Sequence, residues 1–276
     1  MIRTSSSQSS VTERFSMQVI RRELETQIVG KHLYVFDEVE STNAVMRDLA
    51  RLGAFEGTVV LAESQRSGRG RLGRPWFSPP SVNLYASVLL EGELRLEEIG
   101  PLSFIGSLAT SDAIRDLGLT PAIKWPNDVM LDRQKVAGAL LEWVPRERAA
   151  DCAVIGVGVN LNVDAASLRE GIGPEAARAT SVAAALGRPV DRSRFAASFL
   201  THLDRWWCRY RVEGARPLVC AWQDRDILTG RRVELRGAGR ALEGRALGID
   251  PAGHLIVRTA GGDRQVVLTE DIRVLD

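Results

Sequence analysis

The sequence predicts an α/β domain followed by a small all-β domain, and three observations carry that reading. Short apolar runs with strand texture alternate with helix-period segments between residues 31 and 228. The closely spaced runs from Ala122 to Val163 favour antiparallel pairing. After Gly230 the texture changes to VELR, RALGI, HLIVRT, RQVVL and IRVL, joined by turns such as Asp250–Gly253 and Gly261–Asp263, which suggests a β-barrel of SH3-like size. The chain therefore divides into a tail with one short helix (1–30), a main α/β domain (31–228) and a barrel (229–276).

Residues 1–10 are polar and Ser-rich, as expected of a tail. Phe15, Val19, Ile20 and Leu24 recur near helical spacing within 11–28. A strand over 32–38 follows, and Ser41, Thr42 and Asn43 offer capping oxygens to a helix that stops near Gly53. Residues 57–64 and 83–90 read as two strands of a hairpin-like unit around the irregular stretch 65–80. Pro101 suits the first helical position of a core-packed segment marked by Leu102, Ile105, Leu108, Ala109 and Leu117, with Gly118 as the stop. Strands are expected over 122–125, 129–131, 135–144 and 152–163. After a connection rich in Gly, Pro and Ala, Asp191 caps a long helix with Phe195, Phe199, Leu203, Trp206 and Tyr210 on one stripe; a further helix runs from Pro217 to near Leu228. There is no internal repeat.

Lys plus Arg number 36 against 35 Asp plus Glu, a formal charge of +1 with 45% hydrophobic residues, which describes a globular chain rather than a disordered one. That balance argues against a broad basic face for gripping nucleic acid. Cys152, Cys208 and Cys220 form no CxxC pair, and His32, His202 and His254 have no metal-ligand spacing, so a reducing compartment is expected and transition-metal catalysis is not. No apolar run is long enough to span a bilayer and the N-terminus lacks a signal-peptide core, so a cytoplasmic protein is expected, without a membrane partner.

The sharpest local feature is Gly68-Arg69-Gly70-Arg71-Leu72-Gly73-Arg74, followed by Pro75-Trp76. It matches GxGxxG formally, but a dinucleotide site needs a helix to begin at the glycines, and Pro75, Pro79 and Pro80 follow instead. What remains is a flexible loop that puts Arg66, Arg69, Arg71 and Arg74 within nine residues, suited to a polyphosphate or another anion; a solvated basic loop is the plain alternative. In Lys124-Trp125-Pro126-Asn127-Asp128, a lysine ends a strand beside a tight turn. Such a lysine is able to hold a carboxylate and a phosphate together, with Asp128 available to Mg2+ or to orient another group; a surface lysine beside a structural turn is the alternative. Gly156 and Gly158 in VIGVGVNLN can admit a flat ligand or a neighbouring backbone. No GxxxxGK(S/T) loop occurs, which excludes a P-loop nucleotidase.

Taken together, EVESTN at 38–43, ESQRSGRGRLGRPW at 63–76, KWPNDV at 124–129, KVAGALLE at 135–142 and VIGVGVNLN at 154–162 resemble the biotin protein ligases over about residues 30–276. The resemblance implies a mixed-sheet catalytic domain related to class II aminoacyl-tRNA synthetases, with an SH3-like barrel behind it. It implies that the biotin carboxylate attacks the α-phosphate of ATP, giving biotinyl-5′-AMP, and that a lysine of a biotin carboxyl carrier protein then takes the biotinyl group. ATP and biotin are the substrates, with Mg2+ arriving on the phosphates. No protein nucleophile is needed, so positioning and charge stabilisation carry catalysis.

By motif, the resemblance places Ser41, Thr42, Asn43 and Gln65 at the ureido end of biotin, where helix capping is the alternative role for the first three. It places Gly68, Arg69, Gly70 and Arg71 at the phosphate and carboxylate, Lys124 at the forming acyl-phosphate, Gly156 and Gly158 under the bicyclic ring, and Asn160 toward the nucleotide. Lys124 and Arg69 are the expected catalytic residues. The roughly 30 residues before His32 are too few for the winged-helix domain of some relatives, so a ligase without specific DNA binding is expected, and a homodimer is left open. No aromatic residue lies between Val163 and Val190, where some relatives place a Trp against adenine, so an aliphatic or Arg contact would have to replace it. A lipoate ligase and a biotin-responsive DNA-binding regulator are the competing readings.

Overall fold

The computed structural model describes residues 13–92, 98–145, 151–237, 240–267 and 271–275. The expected tail (1–10), the first two residues of the expected N-terminal helix and the last residue of RQVVL lie outside them.

Strand β1 (Leu33–Val39) runs parallel to β2 (Val59–Gln65), with α2 (Thr42–Arg51) between them; an earlier helix, α1, spans Met17–Glu23. β3 (Leu84–Glu91) pairs antiparallel with β2, and β4 (Ala122–Lys124), β5 (Asp128–Leu131), β6 (Gln134–Val144) and β7 (Cys152–Val159) complete a seven-stranded sheet of order β1-β2-β3-β7-β6-β5-β4. One parallel pair among antiparallel ones makes it a mixed sheet, as the resemblance implied. β5 and β6 are joined through Asp132 and Arg133, both at positive φ, the conformation of a tight hairpin loop.

Alternation along the strands divides the sheet's two faces. Leu84, Ala86, Val88 and Leu90 of β3 and Ile155, Val157 and Val159 of β7 pack into one core with α3 (Ile99–Arg115) and α6 (Arg192–Glu213). On the other face α2 buries Met46 and Ala50 against Val60, Leu89 and Val154. α2 is short, and the rest of that face stays open.

The sequence missed three short elements in the Ala-rich connection: α4 (Ala165–Ile172), a 3-10 turn (Gly173–Arg178) and α5 (Val182–Leu186). Each is too brief to show periodicity, although Asp164 and Ser181 cap the two helices as a sequence reading allows. In α6 the buried tryptophan is Trp207, not Trp206, which stands at the margin and donates its indole N–H to Asp112 at 2.7 Å. Helix α7 (Arg216–Gln223) is shorter than expected because Arg225–Ile227 leave it to pair with β4: Ile123 N–H donates to Arg225 O at 2.7 Å, and Ile227 N–H to Ile123 O at 3.1 Å. That pairing covers the edge strand β4.

Residues 13–30 are part of the main domain's core rather than a separate tail. Phe15, Ile20 and Val29 are buried in it. The Asp204 carboxylate, 2% exposed, accepts the N–H groups of Gln27, Ile28 and Val29 at 2.8 to 2.9 Å. Glu63 accepts the Phe15 N–H and pairs with Arg192 at 2.7 Å, and Arg192 lies over the Phe15 ring. Charges this deep are tolerated because every partner is supplied. The expected helix over 11–28 contracts to α1, after which the chain leaves the helix at Leu24 and turns at residues 27–30 to meet Asp204.

β8 (Arg232–Gly237), β9 (Arg240–Ile249), β10 (Leu255–Thr259), β11 (Arg264–Val267) and β12 (Asp271–Val274) form a five-stranded antiparallel sheet of order β11-β10-β9-β8-β12. Its Asp250–Gly253 turn abuts α3 and the end of β4: Trp125 Nε1–H donates to Gly253 O at 2.9 Å. A Cβ at Gly100 would stand 2.1 Å from Ala252 O, so only glycine allows that approach. Among the described residues no helix is long and apolar enough to cross a membrane.

Candidate functional site

The open part of the sheet is floored by glycine. Ser87 pairs with Gly156, which pairs with Leu140; two residues along, Tyr85 pairs with Gly158, Gly158 with Gly138, and Gly138 with Asp128. These two rows lie about 7 Å apart on the face that α2 leaves open. Gly156, Gly158 and Gly138 keep Cβ atoms off the floor, and other side chains lie down on it. The Asn43 amide rests on Gly156, where a Cβ would be 2.0 Å from Oδ1, and the Trp76 indole rests on Gly158, 2.4 Å from the corresponding position.

Ser41 is the N-cap residue of α2 by position, but its side chain makes no capping bond, and Thr42 and Asn43 turn toward the sheet. Capping is therefore not what these three side chains do. Thr42 N–H donates to Gln65 Oε1 at 2.9 Å, while Gln65 Nε2 donates to Ser78 Oγ at 3.0 Å, which fixes both ends of the Gln65 amide. Asn43 Nδ2 donates to Glu142 at 2.6 Å, and Asn43 Oδ1 lies 2.6 Å from Ser87 Oγ.

The arginine-rich loop folds on itself through Gly70 N–H to Arg74 O at 2.7 Å, and its tip, Leu72, has φ 56°. Arg66 is committed to Glu38 at the surface. Arg69, Arg71 and Arg74 line the cavity above the glycine floor. Arg71 lies over the Trp125 ring, 5.7 Å from its centre, and burial lowers its guanidinium from the usual value while Asp128 opposes that shift. Gly68 does not line the cavity. It lets the loop's stem close, since a Cβ there would stand 2.6 Å from Ser78 Oγ and 2.9 Å from Gln65 Nε2.

Two lysines face the same carboxylate. Lys135 Nζ is 2.6 Å from Asp128 Oδ1 and lies over the Trp76 ring. Burial pushes the Lys124 ammonium below the ordinary lysine range, and Asp128 acts against that push. The Trp76 Nε1–H is buried and, among the described residues, has no hydrogen-bond partner. Phe77 packs on α4, its ring 2.2 Å from where a Gly171 Cβ would be. Asn160 also lines the cavity, with its Nδ2 engaged by Thr180 O at 3.0 Å.

Most of these groups border one cavity of about 1520 Å3, whose wall includes Ser41, Thr42, Asn43, Gln65, Arg69, Gly70, Arg71, Lys124, Asp128, Lys135, Gly156, Gly158 and Asn160. Leu168, Ile172 and Arg178 close one side and Ile272 and Arg273 of the C-terminal sheet another. Residues 35–160 match the Biotin/lipoate A/B protein ligase family, and residues 228–272 match the Biotin protein ligase C terminal domain. The biotin–[acetyl-CoA-carboxylase] ligase of Paracoccus denitrificans is 34% identical over 239 residues, 84% of this chain and 96% of that protein.

The chain belongs to the biotin protein ligase family.

Among solved members of the biotin protein ligase family, the Aquifex aeolicus enzyme in complex with biotin and ATP superposes with a TM-score of 0.74 at 26% identity, covering 89% of this chain and 99% of that one. The bifunctional ligase/repressor BirA of Bacillus subtilis is 29% identical over 254 residues, 92% of this chain and 77% of that protein. Among the residues that the sequence did not single out, Trp76, Phe77, Lys135 and Gly138 line this cavity of the biotin protein ligase family member, and Glu142 lines a smaller one beside it. From the loop stem Phe77 packs on Gly171 of α4 and Trp76 on Gly158 of β7, and both line the cavity. Among the described residues no cluster of three or more His, Cys, Asp and Glu side chains offers a metal cage.

Proposed function

We propose that this chain joins biotin to ATP as biotinyl-5′-AMP and passes the biotinyl group to a lysine of a biotin carboxyl carrier protein. The observation that carries this reading is one cavity joining a fixed polar cluster, a glycine floor and a cationic wall. The ureido group of biotin, a carbonyl flanked by two N–H groups, meets Ser41, Thr42, Asn43 and Gln65. The ring lies above the Asn43 amide and the Trp76 indole that rest on Gly156 and Gly158, and the carboxylate points to Arg69, Arg71, Lys124 and Lys135.

In the first step a carboxylate oxygen of biotin attacks the α-phosphorus, the bond to the β-phosphate oxygen breaks, and pyrophosphate leaves. Two anions must approach each other, so four cations held in a partly dry cavity lower the barrier through charge and orientation. Mg2+ accompanies the phosphates in this reading rather than occupying a protein cage; Asp128 is already paired with Lys135 and orients it. Adenine fits between the Trp76 edge, whose buried N–H calls for an acceptor, and the aliphatic side of α4 at Leu168 and Ile172. In the second step the carrier amine attacks the acyl carbon, AMP leaves with the electron pair, and the amine loses a proton.

The cytoplasm, where ATP and carboxylases meet, is the compartment this reading assigns. Incubation with Mg-ATP, biotin or lipoate, and a carrier domain, followed by mass measurement of the carrier, tests it. A gain of one biotinyl group is expected; no gain, or a lipoyl gain, would overturn it.

A further inference from the structure

We infer that Glu142 is a positioning residue for biotin, acting through Asn43. This rests on the reading that the Asn43 amide meets the ureido group. Glu142 lines a smaller neighbouring cavity and not the main one, so it reaches a ligand only through what it holds.

Donor and acceptor types fix the arrangement. A carboxylate only accepts, so the end of Asn43 that lies 2.6 Å from Glu142 Oε2 is the amide nitrogen. The amide oxygen then faces Ser87 Oγ, 2.6 Å away, and takes the single Ser87 proton. Thr42 Oγ1, 2.8 Å from the same Ser87 oxygen, is left to donate to it. The clamped amide is 6% exposed and lies flat on Gly156. Its oxygen keeps one lone pair for a ureido N–H. Released, the amide would turn as easily the other way and set its N–H against the ureido N–H, donor against donor. Glu142 thereby sets the polarity of the ureido site, and sites built on hydrogen-bond polarity are the ones that discriminate strongly.

Glu142 also pairs with Arg47, tying α2 to β6, and a merely structural role would rest on that ion pair. Arg47→Met separates the two, since it breaks the tie and leaves the acceptor for Asn43. The experiment is calorimetric titration of biotin, and separately of ATP, into the intact protein and five variants. Asn43→Ala and Glu142→Ala are each expected to weaken biotin binding by about tenfold or more, the size of one lost hydrogen bond to a charged partner. Glu142→Gln, which keeps an acceptor, and Arg47→Met should stay within about threefold of the parent on the same scale. The Asn43→Ala/Glu142→Ala double variant should match Asn43→Ala alone, because a residue acting through another adds nothing once that other is gone. ATP affinity should not move. If Glu142→Ala does not fold, Glu142→Met, which fills the same space, takes its place. Additive losses, a loss in Arg47→Met equal to that of Glu142→Ala, or normal biotin binding by Glu142→Ala beside a weakened Asn43→Ala would each overturn the inference. Normal binding by Asn43→Ala would overturn the ureido reading beneath it.

Discussion

Lys135 reaches Asp128 across the β5–β6 hairpin, Nζ to Oδ1 at 2.6 Å, so the carboxylate of KWPND orients a second lysine that lies eleven residues beyond Lys124. Both lysines line the cavity, and the proposed reaction puts the acyl-phosphate beside them. Lys124→Ala and Lys135→Ala are each expected to slow adenylate formation by about 10² to 10³, the cost of one preorganised charge, with little change in biotin affinity. Single-turnover pyrophosphate release at saturating substrates reads this. A near-normal rate in Lys124→Ala beside a slow Lys135→Ala would transfer the role to Lys135 alone.

Arg69→Ala and Arg71→Ala should shorten retention of biotinyl-5′-AMP, because a closed loop shields a hydrolysable anhydride until the carrier arrives. Biotinylation of stray lysines should rise with the leak. Unchanged adenylate half-life and unchanged product fidelity in both variants would remove the loop from this role.

Gly158→Ala and Gly138→Ala should differ although they face each other across a strand pair. The new methyl at 158 would stand 2.4 Å from Trp76 Nε1 and displace the indole; at 138 its neighbours lie at 3.4 to 3.5 Å, an ordinary contact. Gly158→Ala is expected to raise the KM for ATP at least about tenfold, the effect of a misplaced binding group, and Gly138→Ala to leave it near the parent value. Steady-state kinetics with ATP varied would settle it; equal effects would mean that Trp76 does not meet the nucleotide.

Trp125→Phe keeps a ring beneath Arg71 and removes the N–H that Gly253 accepts. Leaving that carbonyl unpaired should cost about 1 to 3 kcal/mol of stability. The fall should appear in urea unfolding as a lower midpoint, and an unchanged midpoint would show that water replaces the indole freely.

What the sequence disclosed, and what it hid, follows from where the information resides. Arg69, Arg71 and Lys124 stand in loops or beside turns, where charge and glycine in irregular backbone stand out. Lys135 and Gly138 sit inside KVAGALLE, which looks like any half-buried strand. Gly138 lies opposite Asp128 and Gly158, and Lys135 opposite Met130; that register is set by a two-residue hairpin written Asp132-Arg133 rather than the usual Asn-Gly, and by a bulge at Val129 and Met130. That hairpin was the signal available for Lys135. Trp206 and Trp207 differ by one step of about 100° around a helix, and over the 22 residues of α6 small drift in the apolar stripe decides which faces inward. Trp76 and Phe77 look like loop residues until the fold brings Gly158 of β7 beneath the one and Gly171 of α4 beneath the other.

The stitching of residues 13–30 to α6 has a consequence for how the chain is made. Val29 and its partner Asp204 are separated by 175 residues. At about 5 to 20 residues per second, a ribosome takes roughly 9 to 35 s to add them. Throughout that interval Phe15, Ile20 and Val29 have no α6 to cover them, and β1 and β2 can pair beforehand without it. This segment is thus made well before the helix that seats it, and a chaperone able to hold it through that interval would aid folding.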